Sequence, residues 1–455
     1  MDRFYERSPD EAPDYPESSA KTTVVMKIAI IRSGISGLAC AHVLGPHHDV
    51  TIFEARDRLG GHSNTVMVDD PAAGEVGIDT GFIVHNDQNY PNIERLFDEL
   101  GVEPIDTEMS FGVADEATGF FYRATNLDTI FADRRNLKNP TMYKMLADIF
   151  RFYRHARTYL DRGDPTKTLG EFLNEHRYGS TFVDLHLIPM GASIWSADPA
   201  TFADFPAVAL FRFLDNHGLL GLGDRPQWKA LVGGSRTYVD RIAARFDGEI
   251  CLSTPVRSIE RSPESVTIRT DRDEGRFDAV VMACHSDQAL GMLADPTSSE
   301  SEILGAIRYQ PNTAALHTDT SVLPPTESAW AAWNYYRRSD GQDAGSAVLT
   351  YDMNQLMGLD TQKRYLVSLN EPRIDPEHVL YEATYSHPVF DRAAMFAQLR
   401  VGEISGKNRT HYAGAYWSYG FHEDGMASGL RVCRELDTPW ALEAPDPSHL
   451  VGSPS

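Results

Sequence analysis

Residues Met26–Gly61 read MKIAIIRSGISGLACAHVLGPHHDVTIFEARDRLGG, and the fold follows from them. Val24–Ile31 is a short apolar run, which predicts a buried strand. Gly34 and Gly37 sit in the turn after it, and Ser36–Leu44 is helical, with Leu38, Ala41 and Val43 as packing residues. Asp49–Phe53 is a second apolar strand that ends on Glu54, 17 residues after Gly37. Strand, glycine turn, helix, strand and terminal acid together make a dinucleotide-binding unit. The free N–H groups at the helix start cradle a pyrophosphate, and the acid takes ribose hydroxyls. Gly34, Ile35, Ser36 and Gly37 are therefore the phosphate-side candidates, and Glu54 and Ala55 the ribose-side ones.

One position departs from that pattern. The fingerprint asks for glycine at 32, and the chain has Arg32. The first glycine makes the tight turn without a Cβ. An arginine there holds a backbone strained by about 1–3 kcal/mol. Two readings stand: a tolerated variant whose guanidinium turns outward or pairs with phosphate, or a chain that binds its cofactor poorly.

At 455 residues and 42% hydrophobic, the chain is long enough for two or three cores. Its formal charge of −23 argues against a nucleic-acid partner, which needs a basic face. It leaves room for a local basic or apolar patch that meets a membrane peripherally. No apolar run reaches the roughly 18 residues of a membrane span. Cys40, Cys251, Cys284 and Cys433 are scattered, without a Cys-x-x-Cys. They read as thiols of a reducing cytoplasm, with neither metal nor disulfide framework.

Residues 1–23 are rich in Pro, Ser, Asp and Glu and are expected to be a disordered tail. Met26, at the head of the first strand, is a second candidate start. Asn86–Leu100 is expected as a helix, as are Pro140–Leu160 and Thr168–His176. Residues 100–230 are more helical and aromatic, including Trp195, Phe205, Phe211, Phe213, His217 and Trp228. Ile250–Ile259, Val266–Thr270 and Phe277–Ala283 are strand-like. Ala314–Thr318, Ala329–Tyr336, Ala347–Tyr351 and Tyr365–Leu369 suit an antiparallel sheet. The stretch from 438 to 455 is expected to be loose.

The RSGISG turn at 32–37, Glu54 and the Arg58-Leu-Gly60-Gly61-His62 run resemble the opening of the flavin-containing amine oxidase and phytoene desaturase superfamily. The wider pattern GGHSNTV…GIDTGFIVHN is similar to a branch of NAD/FAD-binding proteins related to the flavoprotein-like domain fused to plant cyclopropane fatty acid synthases. The resemblance covers nearly everything from 26 to 437. It implies an α/β fold: a Rossmann-like FAD-binding domain with a parallel sheet, from 26–85, 230–290 and 405–437. A discontinuous α+β substrate domain, with a mixed or antiparallel sheet and helices, would come from 86–229 and 291–404.

The same resemblance implies site residues. Glu54 takes the adenosine ribose of FAD, and Arg58, Gly60, Gly61 and His62 run along pyrophosphate and flavin. Thr80, Gly81 and Phe82 form a second small-residue turn, and Val256 meets adenine through its backbone. Gly414, Phe421, His422, Glu423, Asp424 and Gly425 form the closing flavin motif, whose helix N-terminus favours the electron-rich flavin edge. Superfamily members carry an acid directly after the Ala-Gly, where this chain has Ala415, and glycine is expected at Ser418. Glu423 and Asp424 are the substitute candidates for the ribityl contact. Trp195, Tyr416, Trp417 and Tyr419 are the candidate substrate residues.

The functional expectation is an FAD-dependent oxidoreductase moving a hydride between flavin and a C–H or C=C bond of an apolar, fatty-acyl or isoprenoid, small molecule. An amine oxidase and a catalytically degenerate flavin-fold binding protein are the alternatives. No catalytic base, Ser/His/Asp arrangement or metal cluster is singled out.

Overall fold

A computed structural model of the chain describes residues 24–164, 166–221, 225–339 and 347–443. The expected tail at 1–23 and the end of the loose stretch, from 444, lie outside the described residues.

The opening strand, Lys27–Ile31, is the middle of a five-stranded sheet. Its order is Glu249–Cys251, Asp49–Phe53, Lys27–Ile31, Ala279–Met282, Thr410–Tyr412, and every pair is parallel. Four of the five residues of the central strand are buried, as a parallel strand covered on both faces requires. One face carries the helices Ile35–Leu44 and His422–Glu435. The other is covered by a three-stranded antiparallel sheet of Val256–Arg261, Val266–Thr270 and Glu274–Phe277.

Gly425 and Gly429 set the spacing of the two helices. A Cβ on Gly429 would stand 2.7 Å from the Ser36 carbonyl oxygen, and one on Gly425 would stand 2.7 Å from Ile35 Cγ2. Glycines at i and i+4 thus let the closing helix lie directly on the first, with Cys40 Sγ 3.4 Å from the Gly429 carbonyl. Both helix N-termini end at the same place.

A seven-stranded mixed sheet stands apart from the parallel one. Its order is Val379–Val389, Arg308–His317, Leu366–Leu369, Val348–Asp352, Trp333–Arg337, Phe111–Asp115, Phe120–Arg123. All its pairs are antiparallel except Trp333–Arg337 with Phe111–Asp115. Two differences from sequence expectation matter here. The stretch taken as helical and aromatic supplies the last two strands, and Val379–Val389 forms a long edge strand that the sequence reading left out. Helices from 140 to 216 pack their aromatic side chains into one core beside this sheet.

The remaining differences are at element ends. The helix expected from Asn86 starts at Pro91, because Pro fits the first turn and His85–Asn86 pairs with Trp228–Lys229 instead. Ile250–Ile259 divides into two strands of different sheets at the turn before Val256. The four cysteines are free thiols, three of them buried. Among the described residues, no helix is long and apolar enough to cross a membrane, and no group of side chains is arranged to hold a metal ion.

Candidate functional site

The glycine turn is the floor of the site. Gly37 is obligatory there, since a Cβ would lie 2.2 Å from the Arg32 carbonyl oxygen. Gly34 faces open space: a Cβ on it would meet no protein atom within 4 Å. One glycine lets the helix pack on the strand, and the other lets a ligand approach the backbone. Arg32 keeps its place with φ of +82°, a left-handed conformation costly for a residue with a Cβ. Its amide donates to the Phe53 carbonyl at 2.8 Å.

Glu54 is buried and receives four donors. Ser33 N–H reaches one carboxylate oxygen at 2.9 Å and the Ser33 hydroxyl the same oxygen at 2.7 Å. Arg56 N–H at 2.9 Å and the Arg32 guanidinium at 3.2 Å reach the other. Burial pushes the Glu54 pKa up, but the Arg56 and Ser33 hydrogen bonds and the Arg32 charge outweigh it and hold it below the usual carboxylate value. Beyond Glu54 opens a cleft of about 310 Å³ lined by Ala55, Ser253, Thr254, Pro255, Thr270, Asp271 and Arg272. Val256 stands next to it, where the register with Thr270 shifts. A larger cleft of about 460 Å³, with His42, Glu99, Arg245 and Trp440 on its walls, holds none of these residues.

The Gly60–Gly61 loop lies on the glycine turn. Gly60 N–H donates to the Ser33 carbonyl at 3.0 Å, and a Cβ on Gly61 would come 3.0 Å from Gly34 Cα. Arg58 ties this loop together by donating to the carbonyls of Leu59, Gly61 and Ser63. Gly81 has no room for a side chain against the His62 carbonyl, which accepts from Phe82 N–H at 2.9 Å. Thr80 joins Asn64 at 2.8 Å and the Tyr385 hydroxyl at 2.8 Å. The first loops are thereby fastened to the edge strand of the mixed sheet.

His422 begins the closing helix and stacks on Phe82, ring centroids 3.7 Å apart. Its Nε2 lies 2.9 Å from the Tyr238 hydroxyl and 3.1 Å from Ser63 Oγ. Burial holds its pKa down at about 3. Glu423 is committed elsewhere: it accepts from Asn92 N–H and Nδ2 and from Ile93 N–H, capping the Pro91–Leu100 helix. Burial raises its pKa to about 7. Asp424 accepts from Phe421 N–H at 2.8 Å and also binds the Ser418 hydroxyl and the Tyr419 and Gly420 amides. Ser418 thus uses its hydroxyl to hold the turn where glycine was expected.

The four candidate substrate residues separate into two cores. Trp195 donates its indole N–H to the Tyr419 carbonyl at 3.0 Å and packs on Phe205 and Phe213, each at 4.8 Å. Phe421 stacks on Phe213 at 5.1 Å, so this aromatic group abuts the start of the closing helix. Tyr416 and Trp417 belong instead to the core under the three-stranded sheet, beside Tyr309. His217 stacks on Phe213 at 3.9 Å and is a core histidine.

A histidine and tyrosine group completes the site, and only its first member was foreseen. His62 lies 4.9 Å from the Tyr385 ring and 5.6 Å from that of His387. Its buried Nε2 has no hydrogen-bond partner among the described residues. His387 Nδ1 is 2.9 Å from Asn312 Nδ2, and His285 stacks on Tyr309 at 4.3 Å. Burial drives the His62 pKa far down, aided by His387, His285 and His422, and sets that of His387 at about 4. These imidazoles are neutral near neutral pH. Tyr385 and His387 alternate with Ser386 on one strand, but only the register of the folded sheet shows that they face His62.

Open space over Gly34, two convergent helix N-termini, a buried acid and a cleft beyond it fit an extended dinucleotide. A family model described as flavin containing amine oxidoreductase matches residues 35–356. Flavin-containing amine oxidase A of the dog, Canis lupus familiaris, is 25% identical over 274 residues, which cover 56% of this chain and 49% of that protein. The chain thus spans about half the length of this relative. Among solved structures, a CLA-producing fatty acid isomerase from P. acnes superposes with a TM-score of 0.65 at 17% identity, over 90% of this chain and 98% of that one. Cyclohexylamine oxidase from Brevibacterium oxydans IH-35A does so with 0.65 at 18% identity and the same coverage. At such identities these likenesses establish the fold alone.

Proposed function

The chain belongs to the flavin-containing amine oxidoreductase family, and from that premise we propose that it is an oxidoreductase moving a hydride to or from a carbon atom of an apolar small molecule. Its cofactor is FAD. When bound, FAD supplies the hydride acceptor or donor, and the protein supplies orientation, dryness and electrostatics.

Each part has a residue set in this chain. Gly34, Ile35, Ser36 and Gly37 present the first helix N-terminus to the pyrophosphate, and Glu54 with the cleft at Ala55 and Thr254 takes the adenosine. Gly60, Gly61 and His62 line the path onward, and Phe421 and His422 bring the second helix N-terminus to the flavin end. Trp195, Phe213, Tyr419 and Phe421 form a dry aromatic wall for the substrate, and His62, Tyr385 and His387 form a polar one opposite the loops.

The observation that carries the apolar reading is the state of the acids. Glu54, Asp79, Glu423 and Asp424 all have their carboxylates engaged by amide or hydroxyl donors. The histidines nearby are held neutral. Each of these carboxylates already has its donors within the protein, whereas the aromatic wall offers area to an apolar substrate. The fatty acid isomerase likeness agrees with this. The amine reading rests on the dog oxidase and cyclohexylamine oxidase, and a neutral amine would also suit an aromatic wall.

One experiment separates them. The FAD-loaded protein is mixed anaerobically with unsaturated fatty acids, then with amines, and the flavin spectrum is followed. Bleaching or a spectral shift with the lipids and none with the amines supports the proposal. Bleaching by amines, with peroxide on admitting air, makes the chain an amine oxidase. Indifference to both reduces it to a flavin-fold binding protein.

A further inference from the structure

The charge of this protein is unevenly placed. Overall it is −23, yet residues 134–157 carry seven Lys and Arg against one Asp. Most of that stretch is the helix Pro140–Arg162, which is roughly 35 Å long at 1.5 Å per residue. Met142, Met145, Ile149, Phe152 and Ala156 bury its inner face in the aromatic core. Its outer face presents Tyr143, Ala147, Phe150, Arg154 and Arg157 at helical spacing, with Asp161 at the far end.

The outer face is apolar as well as basic. Phe150 is 54% exposed, Tyr143 50%, and Leu137 just before the helix 46%. The Tyr143 hydroxyl donates to the Leu137 carbonyl at 2.9 Å, which holds these two side by side. Several cations of the stretch are matched by acids: Arg134 by Asp128, Arg135 by Asp133, Arg151 by Asp148 and Arg157 by Asp215. Lys138, Lys144 and Arg154 are exposed and make no ion pair among the described residues.

We propose that this face docks on an anionic lipid surface, with the helix axis lying in the interface. Leu137, Tyr143 and Phe150 enter the boundary between headgroups and acyl chains, and Lys138, Lys144 and Arg154 meet the lipid phosphates. Charge complementarity selects the partner. An acidic protein approaches an acidic membrane only through its basic face, and each Lys or Arg near such a surface strengthens binding about fivefold. The proposal does not depend on the substrate reading, although the inner face of the same helix lines the aromatic core that reaches Phe421.

The test is co-sedimentation of the full FAD-loaded chain with vesicles of phosphatidylcholine, with and without phosphatidylglycerol, at low and physiological salt. Binding is expected only to the anionic vesicles, and weakens with salt. Lys144→Glu with Arg154→Glu lowers it at least tenfold, and Phe150→Ser lowers it at both salt concentrations. The variants' flavin spectra and melting curves confirm that they fold. Equal binding to neutral vesicles, no binding to either, or full binding by the double variant would overturn the proposal. Retention on heparin without vesicle binding overturns it too, since the basic face then serves a soluble polyanion.

Discussion

Arg32 is the residue at which sequence rule and structure meet most directly. The sequence shows that a glycine is replaced, and the structure shows what replaces it: a backbone at φ +82° and a guanidinium on Glu54. A carboxylate has about four acceptor sites, and Glu54 already has four protein donors. In the proposed FAD site, ribose hydroxyls would reach it only where a donor gives way, and Arg32, a long side chain that is 32% exposed, is the donor with room to turn aside. Its side of the ion pair is about a third exposed, and the Ser33 and Arg56 donors still hold the buried Glu54 when it is removed, whereas the strain is about 1–3 kcal/mol. Arg32→Gly is therefore expected to melt higher and, by freeing an acceptor position on Glu54, to bind FAD more tightly. Calorimetry and fluorescence titration with FAD read the two effects: an unchanged melting temperature would contradict the strain argument, and unchanged affinity would contradict the competition for Glu54. The turn at Gly34 and Gly37 and the acid at the end of the second strand were legible because their geometry is local. The roles of Glu423 and Asp424 were not, since the Asn92 and Ile93 amides that take up Glu423 lie some 330 residues away.

At the scale of elements, the site depends on how closely two helices lie. Gly429→Ala would place a methyl 2.7 Å from a backbone oxygen, which cannot rotate away as a side chain can. The closing helix must then shift, costing about 1–3 kcal/mol. It moves its N-terminus, so a lower melting temperature and weaker FAD binding are expected together. Calorimetry and FAD titration on one preparation check both, and a stability loss with unaltered FAD affinity would mean that this helix end does not serve the cofactor. The first strand, its helix and the second strand were readable because a parallel strand is one apolar run and its helix opens on glycine. Val379–Val389 was not. Its burial alternates from Val379 to Tyr385, but only Tyr385 is fully buried, and as an edge strand held by Arg308–His317 alone it lacks the continuous apolar run that marks the central strands. With it went Tyr385 and His387.

For the whole molecule, buried titratable groups set the dependence on pH. Burial holds His186, His217, His317 and His387 at about 4 and His422 at about 3. In the unfolded chain they titrate near 6.5, so their contribution to stability is lost as the pH falls below that value. Burial raises Asp79 and Asp424 to about 6 and Glu423 to about 7. These three act the other way: they favour the folded state at low pH, and that contribution is lost as the pH rises through 6 to 7. The histidines outnumber them, so near pH 5.5 the unfolded chain binds more protons than the folded one, and stability falls on acidification with a slope of at least about 1 kcal/mol per pH unit. Denaturant titrations between about pH 7.5 and 5.5 should show that slope, and a flat or rising stability on acidification would contradict it. On the proposed reading, the two helix N-termini, the open turn at Gly34 and the cleft beyond Glu54 form one FAD site. The visible absorption spectrum of the purified protein, mixed with FAD and then freed of unbound flavin, tests it most directly. A retained oxidised-flavin spectrum is expected, perturbed from that of free FAD by the aromatic and imidazole walls. A colourless protein, with all the flavin in the filtrate, would contradict it.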